Sequence, residues 1–193
     1  MEKRFATGRF SFIIFMTNKI KRISLLGPES TGKTTLCQQL AEHFNTLWIP
    51  EYSREHVEQL HNPYTLEDIE FCTRTQLEQE DHSLSKANHF IFCDTELIVA
   101  KVWCEDVFNI CPPWIEEEIT KRKYDLYLLT YPDLPFVADR VRENPSRRDY
   151  FYELYKGELE KRNFDYEIIR GSGSSRFEAA RMAITGKFSI SGF

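Results

Sequence analysis

Glycine and proline are scarce in this chain, eight of each in 193 residues, and no repeat is evident. With 41% hydrophobic and 14% aromatic residues, that scarcity excludes a disordered or low-complexity chain. An excess of positive charge is missing too: 25 Lys and Arg stand against 30 Asp and Glu, a formal net charge of -5. Bulk electrostatics therefore offer nothing to nucleic acid or to an anionic membrane surface, and any anionic ligand needs a local cationic site. Long apolar runs are absent as well. The segment Phe10 to Met16 (FSFIIFM) is shorter than a spanning helix needs, and Lys19, Lys21 and Arg22 follow it with no small-residue cleavage site before them. The five cysteines, Cys37, Cys72, Cys93, Cys104 and Cys111, never form a CxxC pair and read as reduced thiols used in packing. A cytoplasmic protein is expected, with residues 1–20 an N-terminal extension and residues 21–193 a single domain. Met16 opens MTNKIKRISLLG, which has the look of a natural start just before a strand.

What is present is an alternation of two periodicities. Short apolar runs at Arg22 to Leu26, Leu47 to Ile49, His89 to Cys93, Asp125 to Thr130 and Tyr166 to Ile169 predict five strands, the central ones buried on both faces. Between them lie helical patterns. Leu36, Leu40, Ala41 and Phe44 share one helix face. Thr65 opens a long polar helix to about Asn88, with Asp68 as its capping partner and Glu70 to Arg74 as an i, i+4 pair. Helices are predicted from Glu96 to about Phe108 and from Trp114 to about Lys123. Ser146 is expected to cap another, on which Phe151, Leu154, Tyr155 and Leu159 share a face, and Ser175 with Glu178 to cap a last one reaching about Ile184. Strands alternating with helices specify an α/β domain whose mainly parallel sheet is covered on both sides. Ligands of such sheets sit beyond the carboxyl ends of the strands, so polar residues ending strands become candidates.

One motif is specific. Gly27 to Thr34 (GPESTGKT) matches G-x-x-x-x-G-K-[ST] and lies between a predicted strand and a predicted helix, and a chance match in a chain this long has a probability of about 1%. Such a P-loop presents converging backbone N–H groups, glycines that let phosphate oxygens approach, and a helix N-terminus. Gly27, Glu29, Ser30, Thr31, Gly32, Lys33, Thr34 and Thr35 are thus the expected ATP site, Lys33 pairing with the β/γ-phosphates and Thr34 ligating Mg²⁺. Asp94, ending a buried strand, is the matching candidate for Mg²⁺, with a helix cap as its plainer role. After the second strand, Glu51 stands where a nucleoside or nucleotide kinase keeps an acceptor for a substrate hydroxyl. Arg54 lies about one turn on, and a solvated cap region is the alternative there. Tyr52, Trp103 and Phe136 could stack on a planar ligand or pack in the core. Asp139 to Arg148 gathers four arginines in an acidic chain, and Arg147 and Arg148 fall in a first helical turn, where the dipole disfavours cations. A lid closing on phosphates accounts for that placement. The five histidines show no metal spacing and receive no role.

Taken in order, GPESTGKTTL, IPEYSRE, CDTELIVAKVWCE and YDLYLLTYPDLPFVADRVRENPSRR resemble the ribosylnicotinamide kinase domain of the NadR family, over about Lys21 to Ile184. The resemblance implies a P-loop kinase that transfers phosphate from ATP to the 5′-hydroxyl of nicotinamide riboside, giving nicotinamide mononucleotide in NAD biosynthesis. It implies Lys33 and Thr34 for ATP and Mg²⁺, Asp94 for Mg²⁺ or as base, Glu51 and Arg54 near the substrate, and Asp139, Arg142 and Arg148 in the lid. Phe136 and Arg140 depart from the family pattern, where Trp and Gly are expected. The chain has no room for the adenylyltransferase and helix-turn-helix portions of multifunctional members, so a stand-alone kinase domain is expected. Glu51 and Asp94 both remain candidates for the base, and Lys33, Arg142 and Arg148 for stabilising the transferring phosphoryl group. The expected partners are ATP and a small riboside, with neither nucleic acid nor membrane, and a homo-oligomer is compatible with the sequence. Two other readings stay open: a kinase of another nucleoside or nucleotide, and a regulatory AAA-like ATP-binding module.

Overall fold

The computed structural model describes residues 19–61, 63–138 and 145–190. Five strands form one sheet, β1 (Lys21–Leu26), β2 (Leu47–Ile49), β3 (Phe90–Asp94), β4 (Leu126–Thr130) and β5 (Tyr166–Ile169), in the order β2-β3-β1-β4-β5. Every pairing is parallel, as the buried apolar runs require. Seven helices are present among the described residues: α1 (Lys33–His43), α2 (Tyr52–Gln59), α3 (Leu66–Leu84), α4 (Leu97–Phe108), α5 (Pro113–Lys121), α6 (Arg148–Lys161) and α7 (Gly173–Phe188).

The period of two in each strand divides the core into two layers. Ile23, Leu25, Phe90, Phe92, Leu126 and Leu128 face α1 and α7, meeting Leu36, Leu40, Phe44, Ala180 and Ile184. Leu26, Ile91, Cys93, Tyr127 and Leu129 face the other way, under Ile69, Leu77, Ile98, Val102, Ile115 and Leu159 of α3 to α6. The five cysteines are unpaired, and Cys37, Cys72, Cys93 and Cys104 are buried.

The expected elements are present, with corrections at their ends. The long helix carries its Thr65–Asp68 capping box but stops at Leu84, and Asn88 is held by the loop between α1 and β2: its N–H donates to the Thr46 hydroxyl and its side chain to the Asn45 carbonyl. Glu70 and Arg74 do not pair with each other. Both turn to Trp114 of α5, Glu70 accepting from the indole N–H and Arg74 lying over the ring. Ser146 caps nothing; it sits in a 3₁₀ turn, Pro145–Arg147, which delays α6 until Arg148. The closing helix begins earlier than expected, capped by Ser172 with Ser175 rather than by Ser175 with Glu178, which instead pairs with Arg181. Helix α2 went unread: Pro50 ends β2, and Glu51 becomes its N-cap.

Two buried features make the fold sensitive to small changes. Gly27 has φ of 147°, and a Cβ there would lie 2.2 Å from Thr130 Oγ1 and 2.7 Å from the Thr130 carbonyl oxygen. Gly27→Ala should therefore cost about 2–4 kcal/mol of stability, measured by urea unfolding. Glu80 of α3 is 1% exposed, and Tyr124 donates its hydroxyl to both carboxylate oxygens at 2.9 and 2.8 Å. Burial pushes this carboxyl from 4.5 up to about 7, against the pull of Tyr124, Arg22 and Arg122. The folded state thus binds more protons than the unfolded state between about pH 4.5 and 7, and the contribution of Glu80 is lost as pH rises through that window. Glu80→Gln should remove about 3 kcal/mol of that decline between pH 4.5 and 8, read from urea midpoints. A difference from the wild type that does not vary with pH would refute the assignment.

Candidate functional site

Parallel strands bring their carboxyl ends to one edge of the sheet, and the candidate residues meet there. Beyond β1 the loop turns through Gly27, Ser30 (φ 56°) and Gly32 (φ 74°) before α1 starts at Lys33. No side chain caps α1, and no acidic residue stands in its first turn. The first N–H groups and the positive end of the helix dipole therefore serve the loop, which is the geometry of an anion site. Lys33 folds back over the loop, donating to the Gly27 and Pro28 carbonyls at 2.8 and 2.9 Å. The loop is held from beneath: Thr31 donates to the Pro28 carbonyl, and its hydroxyl meets that of Thr130 at 2.7 Å.

Asp94 ends β3 beside this loop. It is 1% exposed, and Oδ2 accepts from the Thr34 hydroxyl at 2.5 Å, while Oδ1 is buried with no hydrogen-bond donor. Burial and the neighbouring Glu51 carboxylate raise Asp94 to about 6, opposed by Lys33, the Thr34 hydrogen bond and Arg54. A buried carboxylate oxygen without a donor, next to a hydroxyl oxygen, fits a hard cation such as Mg²⁺. Among the described residues no three His, Cys, Asp or Glu side chains gather as a cage. Mg²⁺ does not require one, since it binds through one or two protein oxygens plus phosphates and water.

The same cleft runs on towards α2, α4 and α6. Its phosphate end is lined by Gly27, Glu29, Ser30, Thr31, Gly32, Lys33, Thr34 and Thr35, so every residue expected at the ATP site is brought together. Glu51, Arg54 and Trp103 line the same cleft. Ser53 donates to Glu51 Oε1 at 3.0 Å, and Arg54 lies 3.6 Å from Glu58. Tyr52 is not among the lining residues; its ring lies against His56 and Phe71. Phe136 is half-buried and also outside the lining. Asp139, Arg140 and Arg142 lie outside the described residues. Arg148 reaches the loop, donating to the carbonyls of Leu134 (2.8 Å) and Ser30 (3.4 Å), and Ser30 Oγ bonds both backbone groups of Val137. Arg147 turns instead to α4, gripping both carboxylate oxygens of Asp106.

Two sets of residues escaped the sequence reading. Gln76 of α3 donates to the Asp94 carbonyl at 3.3 Å and accepts from the Tyr52 N–H at 2.9 Å, tying the end of β3 to the start of α2. A single glutamine in a polar helix gives no signal for this; only its burial does. Val99, Asp106, Phe151 and Tyr155 complete the far wall. Phe151 and Tyr155 were legible as one helix face, but not as a face turned partly towards a cleft.

Known proteins fit this geometry. A family described as AAA domain (AAA_28) matches residues 22–176. The trifunctional NAD biosynthesis/regulator protein NadR of Escherichia coli (strain K12) is 28% identical over 155 residues, which are 76% of this chain and 37% of that protein. The chain thus spans well under half of the curated relatives it matches. Among solved structures, a NadR protein in complex with NR superposes with a TM-score of 0.77 at 24% identity, covering 90% of this chain and 51% of that one. Thymidylate kinase from Ehrlichia chaffeensis superposes at 0.59 and 13%, covering 84% and 97%. No helix among the described residues is long and apolar enough to cross a membrane. On the family match over most of its length, the chain belongs to the AAA_28 family, is homologous to NadR, and has the fold of the P-loop kinases.

Proposed function

We propose that this chain is an ATP- and Mg²⁺-dependent small-molecule kinase that phosphorylates the 5′-hydroxyl of nicotinamide riboside to give nicotinamide mononucleotide, and that residues 21–193 act as one kinase domain. The observation that carries this reading is a single cleft lined both by an uncapped helix N-terminus with Lys33 and by Glu51 with Trp103. Homology to NadR, one structure of which is a complex with NR, supports the choice of acceptor.

The α1 N-terminus and Lys33 hold the phosphates of ATP, Lys33 leaving the loop carbonyls for the β/γ-oxygens. Thr34 and the free oxygen of Asp94 would hold Mg²⁺, which would supply positive charge to offset that of the phosphates. Glu51 suits the base better than Asp94: it lines the acceptor end and is oriented by Ser53, whereas Asp94 is buried against Thr34. In the transfer the riboside O5′ forms a bond to the γ-phosphorus and the bond to the β,γ-bridging oxygen of ATP breaks, giving ADP. The hydroxyl proton passes to Glu51. Arg148, already on the P-loop, neutralises the moving phosphoryl group with Lys33. Arg54 and Trp103 hold the riboside. Tyr52 serves by its backbone, which Gln76 fixes.

The experiment is a panel of ribosides with ATP and Mg²⁺. Nicotinamide riboside is expected to be phosphorylated at least about tenfold faster, in kcat/KM, than uridine or deoxynucleosides. Equal rates favour the broader nucleoside kinase, and nucleotide-dependent assembly without transfer favours a regulatory AAA-like module. Lys33→Ala should lower kcat by about 10² or more. Arg148→Ala should lower kcat about 10- to 100-fold while a fluorescent ATP analogue still binds; full activity would return Arg148 to a purely structural role.

A further inference from the structure

The segment CDTELIVAKVW places two large residues of α4 two positions apart, Lys101 and Trp103, and the transfer chemistry uses only the second. Lysine is almost never buried without a partner, and Lys101 is 3% exposed. Its ammonium meets a carboxylate from each of three helices: Glu105 of α4, Glu116 of α5 at 3.3 Å and Glu158 of α6 at 3.6 Å. Arg162, the C-cap of α6, closes the network onto Glu116 (2.5 Å) and Glu158 (2.9 Å). Burial works against the charge on Lys101, but the Glu105 hydrogen bond and the fields of Glu158, Glu105 and Glu116 hold it above the ordinary lysine value. A buried ion network is weak evidence of stability, since apolar residues of similar volume often serve equally well. Its geometry says more.

Helix α6 is tied to α4 at two points. Arg147 grips Asp106 at the rim, and Glu158 meets Lys101 beneath. Between them Phe151 and Tyr155 stand in the cleft wall with Val99 and Trp103 of α4. Residues 151, 155 and 158 fall on one face of α6 and Arg147 is its N-cap, so the two ties are about 16 Å apart along the helix axis. Two anchors that far apart fix how a helix is rotated as well as where it lies. Turning α6 by one residue, about 100°, would carry Phe151 and Tyr155 out of the cleft.

We propose that Lys101 is a positioning residue for the phosphoryl acceptor: through Glu158 it fixes the rotation of α6, and with it the wall formed by Phe151 and Tyr155, while touching neither substrate. The proposal rests on the reading that this end of the cleft takes the acceptor.

The test compares wild type, Lys101→Met, Lys101→Arg and Glu158→Gln by acceptor KM and kcat, by affinity for a fluorescent ATP analogue, and by amide hydrogen exchange. Lys101→Met should raise the KM for nicotinamide riboside about tenfold, leave ATP-analogue affinity within about twofold, and speed exchange in residues 148–161 but not in α1. Lys101→Arg should restore both readouts. Glu158→Gln breaks the same tie and leaves Lys101 with Glu105 and Glu116, so it carries the test should Lys101→Met fail to fold. Unchanged acceptor KM and α6 exchange in a folded variant overturn the proposal, as does a parallel loss of ATP-analogue affinity. A wild type that does not turn over nicotinamide riboside refutes the acceptor assignment alone. The exchange of α6 then decides whether Lys101 holds that helix.

Discussion

Burying a carboxylate is costly unless its oxygens are satisfied, and Asp94 has one hydrogen bond for two oxygens. That imbalance organises the cleft. The sheet is wholly parallel with β1 between β3 and β4, so the loop after β1 and the carboxylate ending β3 must come to the same edge. Thr34 is then within reach of Asp94, and Glu51 arrives at the end of β2, close enough for its charge to raise Asp94 further. The Asp94 backbone is in turn held by Gln76, which also holds α2. Every other element of the phosphate end can be described by its distance from this one side chain.

How much of this could be read from residues alone varies with the range of the interaction. The strands were legible because burial on both faces leaves uninterrupted apolar runs, and the P-loop because its spacing is fixed by a local turn. The Thr65–Asp68 box was legible for the same reason, three residues apart and self-contained. Ser146 misled because a proline at position 145 favours a 3₁₀ turn, which displaced the helix start by one residue. Ser175 misled because two serines, Ser172 and Ser175, compete for one cap and satisfy each other. Gln76, and the turn of Phe151 and Tyr155 into the cleft, depend on segments far apart in sequence, and no local spacing encodes them.

The distribution of charge follows the same division. The chain is acidic in bulk, yet cations collect at the cleft: Lys33 on the loop and Arg148 reaching it from the start of α6, with Arg147 beside it on Asp106. Away from the cleft, Arg122 and Arg22 hold Asp81 over the base of the sheet, and Lys101 and Arg162 fill the space under α4 to α6. The first group faces a ligand and the second faces the chain's own carboxylates. Only the first exploits a position where the helix dipole would otherwise disfavour it.

The unpaired thiols give the fold a record of its own motions. A thiol reacts as thiolate, and burial pushes Cys37 and Cys93 well above the ordinary value and Cys104 up to about 12. Folded, these sulfurs are shielded from both oxidants and alkylating reagents. Cys37 lies on the helix that follows the P-loop, Cys93 next to Asp94, and Cys104 on the helix that carries Trp103. Each is thus a silent reporter beneath a different part of the cleft, and the order in which the three become modified would give the order in which those parts open.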